Sequence, residues 1–212
     1  MEELLKATIE TLWMTIASLF FSYLFALPLA ILTNETCSDG LIPNKVINTI
    51  CNVVIGIGRA IPFTILMVLV LPLTRILVGT GVGTNAVIVP LTIAAIPFVA
   101  RVIEQSLNEV TKDIVEASKV DGASKLKIIF KIKIGSRMYD IVNSIGITSI
   151  AIVSYTAMSG AVGGGGLGSY ALTYGFYRYD WFSVLYATII IVIIVLLLQA
   201  ISKGVSKIWD WR

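Results

Sequence analysis

The sequence of 212 residues contains no histidine and only two cysteines. These residues are the usual ligands of structural zinc, so the chain has almost nothing from which an ordinary zinc site is built. A Gly-x-x-x-x-Gly-Lys-Ser/Thr loop is also missing, which excludes nucleotide binding of the P-loop type. We therefore expect a protein that is not an enzyme and holds no metal or cofactor of its own.

Charged residues are scarce as well, at 14% of the chain, where soluble domains carry about 25%. Uncharged runs cover residues 11–34, 76–100, 141–177 and 181–202. A bilayer-spanning helix needs about 20 apolar residues, and lipid forces the backbone to satisfy its own hydrogen bonds. The sequence predicts an all-α membrane protein forming one transmembrane domain. Its five predicted spans are about 11–33, 49–73, 85–107, 140–161 and 183–205.

Basic residues are distributed unevenly between the two sides that these spans define. One side holds eleven of the 16 basic residues, including Lys45, seven residues between the third and fourth spans, and Lys203, Lys207 and Arg212 in the tail. The other side holds Lys6, Arg75 and Arg178. Because cytoplasmic loops are enriched in Lys and Arg, we expect the N-terminus outside and the C-terminus in the cytoplasm. Cys37 and Cys51 then lie on the reducing side, where disulfides are rare.

A charged segment over about residues 108–139 interrupts the apolar pattern. Its first part is prone to helix formation, and Gly122 permits a left-handed exit from that helix. We expect a sharp turn there, a second amphipathic helix near 126–133, and a bend at Gly135. The segment either docks on a soluble partner or lies on anionic lipid, and its spacing favours docking. The docking residues are Glu116, Ala117, Ser118, Gly122, Ile132, Ile134 and Gly135.

Two charged positions lie within predicted spans. An arginine in mid-membrane costs about 2.5–3.5 kcal/mol on insertion scales. Arg59 either reaches the cytoplasmic headgroups or pairs inside the bundle during transport, and the sequence leaves both open. Arg101 and Glu104 are three residues apart on one helix and are predicted to form an ion pair.

A candidate pathway follows from prolines and from one helical face. Four prolines, at positions 62, 72, 90 and 97, punctuate the second and third spans and predict bent helices beside a cavity, with irregular packing as the alternative. In the fourth span Tyr155, Met158, Ser159 and Val162 are predicted to share a face that lines the pathway. Helix packing around small residues is the other interpretation. The run 163–168 matches Gly-x-Gly-x-x-Gly, but its place at a membrane helix end favours a tight turn.

The Glu-Ala-Ser…Gly spacing at 116–122 resembles the coupling motif of ABC importer permeases. Ser118 stands where that motif has a second alanine, and Ile134-Gly135 stands where it has Leu-Pro. From Gly58 onward, the order of features is similar to the permease subunit of methionine-type ABC importers. The resembling stretches are 59–66, 72–80, 86–92, 97–101 and 154–163. Their Gly-Gly-Leu-Gly ending also occurs in relatives that carry betaine or sulfonates.

The resemblance implies a type I importer permease in the bacterial cytoplasmic membrane. It implies a homodimer, two cytoplasmic ATPase subunits that bind ATP and magnesium, and an extracytoplasmic substrate-binding lipoprotein. It also implies methionine, in the D form, the L form or both, as the cargo. Another amino acid, a short peptide, betaine or a sulfonate is the alternative cargo. An ion-coupled secondary transporter is disfavoured because the spans contain almost no acidic residues, and no nucleic-acid partner is expected.

Overall fold

A computed structural model of the chain describes residues 2–209, which form helices joined by short turns and loops, with no strand in that range. Arg212, counted above among the basic tail residues, lies outside the described part. The helices are α1 (Glu2–Thr36), α2 (Lys45–Ala60), α3 (Phe63–Val78), α4 (Thr84–Asn108), α5 (Lys112–Val120), α6 (Lys125–Lys127), α7 (Met138–Ser159), α8 (Gly166–Tyr170) and α9 (Trp181–Ser206). Wider π-helical turns prolong α6 over Ile128–Ile134 and α8 over Ala171–Phe176.

Four of these helices, α1, α4, α7 and α9, are long and apolar enough to cross a membrane. The pair of α2 and α3 qualifies as a fifth span when its two members are taken together. The all-α membrane fold is therefore confirmed, and five spans result when the bent pair counts as one. The first span is longer than predicted, because α1 begins at Glu2.

The second span, predicted over about 49–73, is not a single helix: its two halves, α2 and α3, meet at an angle of 112°, a much sharper bend than a kinked helix has. Pro62 causes this break, since it lacks a backbone N–H and drives the preceding residue out of the helical region. Ile61 accordingly has an extended backbone, with φ −77° and ψ 123°. The other three prolines of the predicted set lie inside α3 and α4 without ending them.

Helix α1 packs most extensively on α4, with further contacts to α2, α7 and α8. Small residues such as Ala26 and Ala30 are fully buried at this packing surface, beside Ile55, Val99 and Ile103. Small side chains let membrane helices approach closely and gain van der Waals contact. Helix α9 packs on α7 and leaves apolar side chains such as Leu196 and Leu197 exposed, as a lipid-facing helix does.

The glycine run after α7 forms a tight turn, as predicted, and leads into α8. Gly163, Gly165 and Gly166 all have positive φ, a conformation that glycine adopts without steric cost. The first N–H groups of α8 are satisfied by α1: Gly166 N donates to Glu10 Oε2 at 2.8 Å, and Leu167 N donates to Thr11 Oγ1 at 2.9 Å. The run is thus a joint between α1 and α8 and is not preceded by the strand that a dinucleotide site requires.

Candidate coupling surface and translocation pathway

The charged segment over about residues 108–139, called the coupling segment below, forms two helices joined by a left-handed turn, as predicted. Helix α5 ends at Val120, and Gly122 has φ +76°. Ser124 then begins α6, where Ser124 Oγ accepts a hydrogen bond from Lys127 N at 3.4 Å. No residue of α5 is buried within the subunit. The segment therefore presents a complete short helix on the surface.

The structure divides the predicted docking residues into two groups. Glu116, Ala117 and Gly122 are exposed, and Ser118 is half-buried with its hydroxyl donating to Ile114 O at 2.6 Å. Apolar Ile114, Val120 and Leu126 are exposed on the same segment. In contrast, Ile134 is buried and Ile132 is half-buried against the hydrophobic cluster that α1, α2 and α4 form. These two isoleucines hold the segment to the membrane helices and do not contribute to its exposed surface.

The predicted bend at Gly135 is wrong. Gly135 is helical, with φ −58° and ψ −46°, and its N–H donates to Ile132 O. Glycine keeps the N–H that proline lacks, so the helix continues through this position. The interruption falls at Arg137, which has φ −109° and ψ 11° just before α7.

A buried polar network anchors the coupling segment to the C-terminal end of α1. Lys133 Nζ lies 2.7 Å from Glu35 Oε1 and 2.9 Å from Asn34 Oδ1. Both charged residues are buried, at 7% exposure for Lys133 and 4% for Glu35. Asn34 Nδ2 donates to Asn108 Oδ1 at 2.7 Å, which extends the network to the end of α4. Desolvating each ion costs several kcal/mol, so the pair persists only with such complementary hydrogen bonds.

Sequence reasoning missed this network because Lys133 and Glu35 lie far apart in the chain. A local signal existed, since Lys133 follows Ile128, Ile129 and Ile132 in a stretch of apolar residues. A lysine on the apolar side of an amphipathic helix requires a partner. The identity of that partner depends on how α1 and α6 pack, which the sequence pattern does not specify.

Two further ion pairs flank the coupling segment. Arg137 Nη1 lies 2.8 Å from Glu109 Oε2, and Arg137 Nη2 donates to Glu109 O at 2.6 Å. Lys112 Nζ lies 2.8 Å from Asp39 Oδ2, and this hydrogen bond raises the pKa of Lys112 above its usual value. The second pair is exposed, and solvent and salt screen such pairs strongly. The buried network is therefore the main electrostatic attachment of the segment.

The predicted ion pair in α4 is confirmed and extends further than expected. Arg101 Nη1 lies 2.7 Å from Glu104 Oε2. Arg101 Nη2 also donates to Asn52 Oδ1 at 3.0 Å, which ties α4 to α2. Asn48, one turn before Asn52, donates to Thr33 O of α1 at 2.8 Å. Polar contacts thus join the C-terminal halves of α1 and α4 to α2.

The predicted pathway face of α7 is only partly present. Met158 and Val162 are exposed, at 46% and 49%. The Tyr155 ring stacks on Phe63 of α3, with centroids 4.7 Å apart and planes 10° apart. Including Ser159 in this face is wrong, because Ser159 is fully buried and its hydroxyl donates to Thr156 O at 2.8 Å. Its side chain lies beside Gly164, on the side of α7 that packs within the subunit.

Arg59 lies in the last turn of α2, next to the break before α3. It is exposed in the subunit and forms no ion pair with the residues 2–209 that the structure describes. A cavity of about 200 Å³ opens beside it. The lining residues are Gly58, Arg59, Ile61, Phe63, Ala94, Phe98 and Tyr155.

The chain as a whole has counterparts among known proteins. The chain is 42% identical over 209 residues to the probable D-methionine transport system permease protein MetI of Vibrio cholerae serotype O1, covering 99% of this chain and 93% of that one. It is 40% identical over 210 residues to the methionine import system permease protein MetP of Bacillus subtilis strain 168, covering 99% and 95%.

Solved structures agree with these relatives. A chain of the MetNI methionine ABC transporter in an inward-facing conformation has a TM-score of 0.96 at 37% identity, covering 99% of this chain and 97% of that one. An amino acid ABC transporter with histidines has a TM-score of 0.74 at 18% identity, which shows the same fold. The sequence profile of one family matches residues 26–210, most of the chain. This chain therefore belongs to the family of binding-protein-dependent transport system inner membrane components.

Proposed function

We propose that this chain is the permease subunit of an ATP-driven importer for methionine and forms the translocation pathway. The observation that carries the proposal is the exposed helix α5 with its turn at Gly122, held to the membrane helices by Lys133 and Glu35. The relatives named for methionine transport, similar along nearly the whole chain, support the choice of cargo.

Docking of a cytoplasmic ATPase on α5 gives the segment its mechanical role. The partner ATPase binds ATP and magnesium, and a cleft on its surface receives α5 around Glu116 and Ala117. Movement of that cleft is transmitted through the Lys133–Glu35 pair to α1, and through Asn108 to α4. Because α1 packs on α4, α7 and α8, a displacement at its cytoplasmic end reaches the pathway side of α7.

The assembly that fits this mechanism is a homodimer with two ATPase subunits and an extracytoplasmic binding protein. A single subunit does not enclose a pathway, because the Met158 and Val162 side chains are exposed on its surface. A second copy related by two-fold symmetry brings the same face from the opposite side. The high TM-score with an inward-facing transporter chain supports a subunit conformation open to the cytoplasm.

Copurification and uptake test the proposal directly. The permease is purified from its host, so that a bound ATPase is retained, and the complex is reconstituted into vesicles with ATP inside. We expect an ATPase to copurify, and we expect ATP-dependent uptake of radiolabelled L- or D-methionine when the binding protein is outside. Uptake of betaine or a sulfonate in preference to methionine would overturn the choice of cargo, and uptake without an ATPase would overturn the class.

Orientation in the membrane gives a prediction that follows from the uneven basic residues. A cysteine placed at Gly81 or Tyr174 is expected to react with an impermeant maleimide added outside intact cells, and a cysteine at Lys127 is expected to react only after permeabilisation. Each of these variants also carries Cys37→Ser and Cys51→Ser, so the introduced cysteine is the thiol that the maleimide labels. Labelling at position 127 from outside would invert the proposed topology.

The pathway face of α7 gives a further prediction. Met158→Ala and Tyr155→Ala are expected to change the methionine transported per ATP hydrolysed by about threefold or more, because they remove the outward side chain and the partner of Phe63. Losing an aromatic pair costs about 0.5–1.5 kcal/mol beyond burial, which supports an effect of this size. Leu197→Ala on the lipid-facing side of α9 serves as the matched control. Equal ratios for all three variants would show that α7 only packs.

A further inference from the structure

Two arginines lie near the middle depth of the described bundle, and Arg59 differs from Arg101 in having no ion-pair partner among residues 2–209. Gly58, the neighbour of Arg59, lies so close to Pro97 of α4 that an added Cβ would collide with the proline ring. Pro97 is the fourteenth residue of α4 (Thr84–Asn108), which places it about 20 Å from the outer end and about 16 Å from the inner end. At this depth a guanidinium does not reach either headgroup layer without cost, so Arg59 needs an anionic partner.

Residues 2–209 offer no such partner at this level. The chain has 13 acidic residues, and the structure describes all of them except Asp210. On α4, Glu104 lies about 10 Å deeper than Pro97 and is already paired with Arg101. Glu10 caps α8 beside Gly165, and Gly163 O in the same turn accepts from Gly83 N at the outer end of α4. A second copy of the chain has its acidic residues at the same depths and adds no mid-membrane partner.

The break between α2 and α3 also requires a polar environment. Non-helical backbone at membrane depth is tolerated where it is buried in protein or lines a water-filled cavity. Arg59 and Ile61 line the cavity of about 200 Å³ at this break. The opposite wall is apolar, with the stacked rings of Phe63 and Tyr155 and the Phe98 ring. One cation therefore stands beside an aromatic, otherwise uncharged surface.

We propose that Arg59 binds the carboxylate of the transported amino acid, whose apolar side chain lies against Phe63 and Tyr155. This inference rests on the proposed function and names the substrate contact within the pathway. A guanidinium binds a carboxylate with two parallel hydrogen bonds, which are strong in a site of low dielectric constant. The substrate supplies a negative charge at a depth where residues 2–209 have none, and Arg59 is exposed until substrate arrives.

Protection from chemical labelling tests the contact without the binding protein. The permease–ATPase complex carries Cys37→Ser, Cys51→Ser and Ala94→Cys, which places one thiol in the cavity wall. We expect L-methionine to slow maleimide labelling of this thiol, whereas 3-(methylthio)propylamine, which lacks only the carboxylate, does not. Arg59→Gln is expected to raise the half-protecting methionine concentration about tenfold to hundredfold, the cost of a lost charged hydrogen bond. Arg59→Lys keeps the charge and should show a smaller increase.

Arg178→Gln, an exposed external arginine, is the matched control and should leave the protecting concentration unchanged. Methionine uptake at saturating binding protein provides a second readout. We expect uptake by the Arg59→Gln complex to fall while its ATP hydrolysis continues. Equal protection by the amine, no protection by methionine, or an Arg59→Gln complex that matches the wild type would overturn the inference. If the wild-type complex still imports methionine in these cases, the proposed function stands; if it does not, the proposed function itself fails.

Discussion

Gly122→Val is expected to abolish ATP-driven uptake while leaving membrane insertion intact. Gly122 has φ +76°, where a side chain meets steric strain of about 1–3 kcal/mol, and a β-branched residue is among the least tolerated. Relief of the strain requires the turn after α5 to change shape, so α5 no longer fits the ATPase cleft. We expect uptake to fall by about tenfold or more, measured in reconstituted vesicles at matched protein levels.

Gly204→Val is the matched control for this prediction. Gly204 is also an exposed glycine with open space around its Cα, but it lies in α9, away from the coupling segment. The same chemical change there should leave uptake close to wild type. A Gly122→Val complex that transports as fast as the Gly204→Val complex would show that α5 is not the docking helix.

Lys133→Met is expected to disconnect the coupling segment from α1. The substitution removes the cation and leaves the Glu35 carboxylate buried without its partner, which costs about 3–5 kcal/mol for a buried pair. We expect a lower unfolding temperature of the complex and a loss of methionine transported per ATP hydrolysed. The transport ratio matters because a role limited to stability would lower both activities together.

A double substitution distinguishes the destabilising effect of an unpaired buried charge from the loss of the contact between the coupling segment and α1. Lys133→Met combined with Glu35→Leu removes both ions, and replacing a buried pair by apolar residues is often neutral for stability. We therefore expect the unfolding temperature to recover. Asp39→Asn, which breaks the exposed pair with Lys112, is the control and should change neither property. A Lys133→Met complex that behaves like Asp39→Asn would exclude the buried pair as the transmitting contact.

Local features of the chain were predictable because they depend on neighbouring residues. Hydrophobic runs predicted the spans, the three-residue spacing of Arg101 and Glu104 predicted their ion pair, and Gly122 predicted the left-handed turn. Each of these follows from the geometry of one helix or one turn. The structure reproduces them with shifted boundaries, except that the second span is broken between α2 and α3.

Features that depend on packing between distant elements were not predictable. Pro62 indicated a bend, but the angle of 112° between α2 and α3 depends on how both pack against α4. Ser159 lies only one residue beyond Met158, yet the glycine turn after α7 folds back so that Gly164 lies beside its hydroxyl and Ser159 is fully buried. The Lys133–Glu35 pair joins residues separated by 98 positions. Such contacts require the tertiary arrangement itself.

The contact between Glu10 and the start of α8 has a consequence for biogenesis. The chain leaves the ribosome from its N-terminus, so α1 enters the membrane long before Gly166 is made. The two residues are separated by 156 positions, which at about 5–20 residues per second corresponds to a wait of about 8–30 s. During that time α1 gains α2, α4 and α7 as neighbours one after another, but the Glu10 carboxylate lacks the N–H donor of α8 and has to be solvated or shielded until α8 emerges.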